Sequence, residues 1–308
     1  MAVYTHVLES DLCAFLAQYA VGDMMSAQGI LQGVDNSNYH VKTAQGDYVL
    51  TIFESRIQPQ DIPYYLDFMK HLSDHGVLCP APVMLKSGEV LSNIAYKPAA
   101  LFPFLDGHNV SQSEITTGMC GELGIFLARM HLAGQGHTKH LKNGMGFDAW
   151  ETRLRRVGGD AHPYLDILKA VKNQWPANLP TGSIHADLFP DNVFVLDGHI
   201  HGVIDFYFSA TDFLVYDLAI VLNAWCFDKD HSLDLDKCRA FLDGYHSIRP
   251  LSDAEKSSFQ ILAQGAALRF LSSRLHDLTF HDPSALVTPK DPTEYIKKLE
   301  FHRDNAIF

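Results

Sequence analysis

Apolar residues change their spacing once along this chain, near residues 102–107, and this change limits the folds open to it. Before that point they largely follow strand chemistry, as in NYHVKT and DYVLTIFE, where β-branched and aromatic residues flank the turn AQG. After it they recur at helical spacing, as in SQSEITTGMCGELGIFLARMHLAG. The sequence therefore predicts an α+β fold with a small antiparallel-sheet lobe and a mainly helical lobe.

The first hundred residues are expected to hold a helix, the hairpin, a second helix and two further extended runs. Ser10 or Asp11 is the expected cap of the first helix, and Gly76 closes the second, DIPYYLDFMKHLSDHG. The two extended runs flank a predicted turn at residues 86–88.

Pro103 and Gly107 favour a hinge after these elements. We therefore expect an N-terminal lobe of residues 1–103 and a C-terminal lobe of residues 104–308. YLDILKAVKNQW, DFLVYDLAIVLNAWCF and SSFQILAQGAALRFLSSRLHDL predict helices of the second lobe, with the strand-rich HADLFPDNVFVLDGHIHGVIDFYF between the first two.

Charge and cysteine content exclude several classes of function. The chain has 24 basic and 36 acidic residues, a net charge of −12, which disfavours nucleic acid or an anionic membrane as partner. Its 5 cysteines form no C-x-x-C pair, which favours reduced thiols over disulfides or zinc. We expect a soluble, cytoplasmic protein, because no signal peptide or bilayer-spanning run is visible. The oligomeric state stays open.

Polar residues are dense in SIHADLFPDNVFV, and their spacing predicts phosphoryl-transfer chemistry. His185, Asp187 and Asn192 match the H-x-D-x-x-x-x-N pattern of a kinase catalytic loop. Asp205 follows Asn192 by 13 residues, at the end of an apolar strand. A hairpin turning at Asp197-Gly198 would bring Asn192 and Asp205 to the same open end. A solvated turn is the alternative, and His185 fits a buried support better than a reactant.

HADLFPDNV followed by IDFYFSATDFLVYDLAIVLNAWCF resembles the aminoglycoside and choline phosphotransferase superfamily, which has a two-lobed protein-kinase-like fold. Within it, NSNY, DFYF, LNAWCF and LVTPKDP are most similar to bacterial homoserine kinases of the kinase-like type. The resemblance spans nearly the whole chain. It implies ATP-dependent phosphorylation of L-homoserine to O-phospho-L-homoserine in threonine biosynthesis, with ATP and Mg²⁺ as cofactors.

The resemblance also implies roles for single residues. Asp187 would be the catalytic base, and Asn192 and Asp205 the magnesium ligands. Asp217, in YDLA, would support the base of the site.

The nucleotide would be held by the first lobe. The resemblance implies that the loop of residues 32–38 covers the triphosphate, with the candidate contacts Gly33, Asn36, Ser37 and Asn38, although such residues also mark ordinary turns. The hinge around Phe102 and Phe104 is expected to hold the adenine through backbone groups, between the apolar side chains of Ile52 and Val195. A plain connector is the alternative reading of the hinge.

One position departs from the protein-kinase pattern. The lysine of the third strand is replaced by Thr51, and the next helix offers Asp61 and Asp67 where a glutamate would pair with that lysine. Lys42 or Lys97 could reach the phosphates instead, or Mg²⁺ and backbone amides could suffice. The sequence leaves these options open.

The acceptor needs a pocket with a cation for its carboxylate and an anion for its ammonium group. The helix AQGAALRFLSSRLHDL places Arg269 and Asp277 at helical spacing, and Tyr207 and Asn223 could complete the wall. A solvated helix face explains the spacing equally well.

Two rival functions stay open. One is kinase activity on another small hydroxyl compound, such as choline, an aminoglycoside or a sugar derivative. The other is a nucleotide-binding pseudokinase, which the missing lysine favours and the complete Asp187, Asn192 and Asp205 set disfavours.

Overall fold

The structure is a computed structural model that describes residues 5–30, 36–281 and 288–308. The chain divides into two compact units, one of Met1–Asp106 with Gly202–Tyr207 and one of Gly107–His201 with Phe208–Phe308. Among the helices of the described ranges, none combines the length and apolarity needed to span a bilayer.

The first unit is built on an antiparallel sheet. Its elements are α1 Glu9–Leu16, β1 Met24–Gly29, β2 Ser37–Thr43, β3 Gly46–Ile52, α2 Ile62–Asp74, β4 Ser92–Ile94 and β5 Lys97–Pro103. The strands lie in the order β1-β2-β3-β5-β4, and all neighbours are antiparallel. The predicted hairpin is confirmed, since Thr43 pairs with Gly46 across the turn. Gly76, at φ +80°, follows the end of α2 as predicted.

One local prediction in this unit is wrong and another is incomplete. Helix α1 begins at Glu9 with Leu8 at its N-cap and no capping side chain, so Ser10 and Asp11 lie inside its first turn. The predicted turn at residues 86–88 is present, with the N–H of Gly88 donating to the carbonyl of Leu85 at 2.9 Å, but the two late strands pair across a second turn, at Ala95 and Tyr96, which have φ of 49° and 61°. Residues with a Cβ are uncommon at positive φ, so the sequence carries no turn signal there.

The second unit is mainly helical. Its elements are β6 His108–Asn109, α3 Thr117–Gly134, α4 Phe147–Val157, α5 His162–Gln174, β7 Thr181–Ile184, β8 Val193–Leu196, β9 His199–Val203, β10 Ala210–Phe213, α6 Leu214–Trp225, α7 Leu235–Ile248, α8 Asp253–Thr279 and α9 Thr293–Asp304. The strands form the sheets β10-β7 and β6-β8-β9. The α+β class, with an antiparallel N-terminal sheet and a helical C-terminal part, is as predicted.

Residues 202–207 were assigned by the sequence to the second lobe, but they group with the first unit. The backbone N–H of Val203 donates to the carbonyl of Leu78 at 3.0 Å. The rings of Phe206 and Phe68 lie 5.8 Å apart. These contacts place the short segment after β9 in the first unit, which otherwise ends at Asp106, compared with the predicted residue 103.

Helices α3 and α7 approach each other through glycines. A Cβ on Gly124 would lie 2.1 Å from the carbonyl oxygen of Phe241. One on Gly244 would lie 2.3 Å from the carbonyl oxygen of Gly121. Both distances are far below van der Waals contact, so the two helices pack backbone against backbone and no larger side chain fits between them.

Gly124→Ala should therefore lower the free energy of unfolding by about 2 kcal/mol, the usual cost of overpacking a core. Gly121→Ala, on the same helix, is the matched control because its Cβ would meet its nearest atom at an ordinary 3.6 Å. Better helix propensity should leave that variant as stable as the parent or more stable by up to about 1 kcal/mol. Urea unfolding measures both, and equal stabilities would contradict the close approach.

Candidate active site

Asp187 lies in the loop that joins β7 to β8. This loop covers residues 185–192 and ends in the 3-10 turn Pro190–Asn192. Its apolar members Ala186 and Leu188 are fully buried, whereas the Asp187 side chain is 19% exposed. Burial of its neighbours fixes the loop while the carboxylate stays accessible to a ligand.

Ala186 has a left-handed backbone, with φ of 63°. This conformation costs an L-residue other than glycine about 1 kcal/mol or more, and such residues cluster at functional sites. The carboxylate of Asp217 accepts the N–H of His185 at 2.9 Å and the N–H of Ala186 at 2.8 Å. Asp217 is fully buried in α6 and thereby holds the loop immediately before Asp187.

The pKa of Asp217 follows from these contacts. Burial alone would raise it, but the hydrogen bond and charge of His131, together with the charge and backbone N–H of His185, hold the pKa below its usual value. Asp217 therefore stays an ionised acceptor inside the core. This placement fits the supporting role that the family resemblance implies for it.

Arg269 contacts the same loop from α8. Its Nη1 donates to the carbonyl oxygen of Ala186, and its Nη2 lies 4.0 Å from Oδ1 of Asp187. The residue is 1% exposed. The sequence suggested Arg269 as a ligand for the acceptor, and its contact with the loop carried no signal in the sequence.

Three further hydrogen bonds involve polar groups of the loop. Asn192 donates from Nδ2 to the carbonyl oxygen of Asp187 at 2.8 Å, and Trp225 donates to that of Leu188 at 2.9 Å. The backbone N–H of Asp187 donates to Nδ1 of His185 at 3.3 Å. Because a carbonyl can only accept, the amide nitrogen of Asn192 must face it, which leaves Oδ1 for another partner.

A chain of buried polar side chains lies behind Asp217. His131 donates from Nε2 to the Asp217 carboxylate at 3.1 Å, and its Nδ1 lies 2.7 Å from the hydroxyl of Tyr245. Arg249 donates to that hydroxyl at 3.2 Å and to Glu255 at 2.8 Å. Sequence reasoning missed this chain, and a lone histidine on the apolar face of α3 was its one visible sign.

Asp205 and Tyr207 belong to the first unit. Asp205 has a left-handed backbone with φ of 64°, as Ala186 does. The ring of Tyr207 packs at 5.2 Å from Phe53 and 6.0 Å from Tyr65. Burial, followed by the charge of Asp205, raises the pKa of Tyr207, so its phenol stays protonated.

The side chains expected around the triphosphate form hydrogen bonds with β3 and with Glu54, just after it. The oxygen Oδ1 of Asn36 accepts from the backbone N–H of Glu54 at 3.2 Å, and Ser37 donates to the Glu54 carboxylate at 2.6 Å. Oδ1 of Asn38 accepts from the hydroxyl of Thr51 at 2.8 Å. Gly33 lies outside the described residues. The side chains of positions 36–38 thus bind β3 and the segment that follows it.

The two candidate replacements for the missing lysine both have acidic partners. Lys97 donates to the Glu54 carboxylate and, at 2.7 Å, to Thr5. Lys42 lies 3.3 Å from Asp47 and is mostly exposed. Glu54, two residues after the end of β3, is the residue of this group that sequence reasoning overlooked.

The residues predicted around the adenine have different exposures. Ile52 and Phe102 are buried in the first unit, and Val195 is buried in the second. Phe104 is 39% exposed, and its ring stacks 4.4 Å from that of His40.

Two predicted acceptor contacts differ sharply in their surroundings. Asn223 is fully buried, donates to the carbonyl of Ala263 at 3.2 Å and accepts from His302 at 2.7 Å. Both ends of its amide are thus used inside the protein, which gives no support for substrate contact. The Asp277 side chain is 60% exposed, 3.4 Å from His276.

The described residues contain no group of three or more His, Cys, Asp and Glu side chains arranged to hold a metal. His199 contacts Glu122 at 2.8 Å on the surface. Asn192 and Asp205 supply the amide and carboxylate oxygens that suit Mg²⁺, which usually keeps few protein ligands. Both residue types are therefore chemically suited to a magnesium ion.

Comparison with known proteins identifies the family of this chain. The profile described as "Phosphotransferase enzyme family" matches residues 26–251. A homoserine kinase of Gluconacetobacter diazotrophicus is 47% identical, over 98% of this chain and 97% of its own. A homoserine kinase of Xanthobacter autotrophicus is 48% identical, over 98% of this chain and 96% of its own.

A solved structure shares the fold. An amicoumacin kinase in complex with AMP-PNP, Ca²⁺ and Ami has a TM-score of 0.74 at 15% identity, covering 97% of this chain and 94% of that one. At this identity the likeness is one of fold, which is protein-kinase-like. The profile match and the full-length relatives establish that this chain belongs to the phosphotransferase enzyme family.

Proposed function

We propose that this enzyme phosphorylates the hydroxyl of L-homoserine with ATP as donor, giving O-phospho-L-homoserine for threonine biosynthesis. The observation that carries the proposal is the identity of 47% and 48% to homoserine kinases over 98% of the chain. The amicoumacin kinase differs in acceptor, but at 15% identity it bears on the fold alone.

Asp187 is the proposed catalytic base. Its carboxylate is partly exposed on a loop whose backbone is held by Asp217, Arg269 and Trp225. The acceptor hydroxyl would lose its proton to Asp187 as its oxygen bonds to the γ-phosphorus and the bond to the β,γ-bridging oxygen breaks, releasing ADP. A fixed loop suits this role, because the carboxylate must be in place before the transfer begins.

Asn192 and Asp205 are the proposed ligands of Mg²⁺, which when bound would neutralise phosphate charge. The orientation of Asn192, with Nδ2 on the Asp187 carbonyl, supports this because Oδ1 is directed elsewhere. The turn at Asp197-Gly198, with φ of 52° and 83°, supports the hairpin that would carry the two ligands to one end.

The first unit is the proposed site of the nucleotide. Backbone N–H groups of residues 33–38 would meet the phosphates, because the side chains of positions 36–38 are engaged with β3. The backbone of residues 102–106 would meet the adenine, with Ile52 and Val195 as apolar neighbours.

For the acceptor, Asp277 stays the proposed partner of the ammonium group, since its carboxylate is exposed. Asn223 is better explained as a structural residue by its two internal partners. Tyr207 packs among aromatic rings of the first unit. We therefore propose that it supports Asp205 and does not bind the substrate.

The function can be tested with a panel of acceptors. Release of ADP from Mg²⁺-ATP should have a kcat/KM for L-homoserine at least about 10²-fold above those for choline, an aminoglycoside or a simple sugar. A better value for another acceptor would replace homoserine in the proposal. ATP binding without turnover of any acceptor would favour a pseudokinase.

Asp187→Asn should lower kcat by about 10² or more, because the general base is lost, while ATP affinity changes little. Asp191→Asn is the matched control. It changes a carboxylate of the same loop that is 64% exposed and lies 3.6 Å from Lys290. Near-normal turnover by Asp187→Asn would contradict the assignment.

Asp205→Ala should weaken binding of Mg²⁺-ATP as well as lower kcat, because a metal ligand contacts the nucleotide through the ion. Calorimetric titration with ATP, with and without Mg²⁺, separates the two effects. We expect the parent to gain affinity from Mg²⁺ and Asp205→Ala to lose most of that gain. An unchanged magnesium dependence would exclude Asp205 as a ligand.

A further inference from the structure

We infer that Arg269 is a positioning residue that sets the direction of the Asp187 carboxylate, and that it does not bind the acceptor. This rests on the proposed role of Asp187 as base. It also replaces the role that the sequence suggested for Arg269, a ligand of the acceptor carboxylate.

The environment of the guanidinium group argues against a substrate ligand. Arg269 is 1% exposed, and its guanidinium lies 4.7 Å from the ring centre of Phe270. One Nη atom is used by the carbonyl of Ala186, and the other faces the Asp187 carboxylate at 4.0 Å. A substrate carboxylate would need a fork of free, accessible N–H donors.

The residue before Asp187 is held on both sides by charged, buried groups. Asp217 accepts the N–H of Ala186, and Arg269 donates to its carbonyl. Ala186 is also the left-handed residue of the loop, at φ 63°. Strained backbone persists where its surroundings impose it, and here two buried ionic groups hold the peptide units before and after Ala186.

The direction of the Asp187 side chain depends on this peptide. By holding the carbonyl of Ala186, Arg269 restrains the ψ angle of that residue. A change in this angle would reorient the backbone at Asp187 and, with it, the Cα–Cβ bond of Asp187. Nη2 adds an attraction of opposite charges at 4.0 Å. Without Arg269, we expect the carboxylate to leave the position in which it meets the acceptor hydroxyl.

Steady-state kinetics of Arg269→Met and Arg269→Lys test the inference. Arg269→Met should lower kcat by about 10²-fold, the typical effect of misplacing a catalytic group, with the KM values for homoserine and ATP nearly unchanged. Arg269→Lys keeps the charge and one donor, so it should recover part of kcat. An acceptor ligand would instead raise the KM for homoserine in both variants.

Arg274→Met is the matched control for loss of a buried guanidinium from α8. Arg274 is 9% exposed and donates to the carbonyl of Asp291 at 2.8 Å and to Glu294 at 2.6 Å. Its replacement should lower thermal stability about as much as Arg269→Met but leave kcat within about twofold of the parent. An equal loss of kcat in both variants would mean that general destabilisation explains the effect.

Ala186→Gly supplies a second, independent measurement. Glycine adopts positive φ without strain, so it should compensate in part for a missing Arg269. We expect Ala186→Gly to lower kcat slightly in the parent but to raise it at least about threefold in Arg269→Met. Strictly multiplicative losses would show that Arg269 and the Ala186 backbone act separately, and would overturn the inference.

Failure of the inference is distinguishable from failure of the proposed function. All kinetic comparisons use the acceptor with the highest kcat/KM in the parent enzyme, whichever compound that is. The acceptor panel thus tests whether homoserine is the substrate. The separate effects on kcat and on the KM for the acceptor test the role of Arg269.

Discussion

The geometry of the catalytic loop depends on one carboxylate. Asp217 lies on α6, whose residues from Leu214 to Trp225 are all buried, and it accepts two successive N–H groups of the loop. A fully buried helix has little freedom to shift, because its neighbours are close-packed. Through Asp217, the loop that carries the partly exposed Asp187 is therefore fixed to the buried core of its unit.

In the first unit, the charged side chain of Glu54 links three separate segments of the chain. Glu54 accepts from Ser37, Thr5 and Lys97. Burial would raise the pKa of Glu54, but these hydrogen bonds and the charge of Lys97 hold it below its usual value. Glu54 therefore stays ionised. A lysine–glutamate pair thus exists in this unit, at positions other than those of protein kinases, with a neutral hydroxyl at position 51.

The sequence predicted features that depend on local pattern. The hairpin of β2 and β3, the helix ended by Gly76 and the turn at Asp197-Gly198 follow from periodicity and turn chemistry. The cap at Leu8 and the turn at Tyr96 could not be predicted, because neither residue type is one that local preference favours at its position.

Within the site, the pattern of Asp187, Asn192 and Asp205 was visible because it is short and chemically specific. The surroundings of Arg269 and Asn223 were not, since each depends on contacts between residues distant in sequence. Helical spacing places Arg269 and Asp277 along one helix, yet one is buried and the other exposed. Burial of a polar side chain is set by the packing of whole helices, which periodicity alone does not reveal.

Glu255 joins two structures that are usually stabilised separately. It completes the capping box at the start of α8 with Ser252, and it is the far end of the chain that runs through Arg249, Tyr245 and His131 to Asp217. Opening of the first turn of α8 would therefore remove the last support of that chain. The helix terminus and the catalytic loop should open as one cooperative unit.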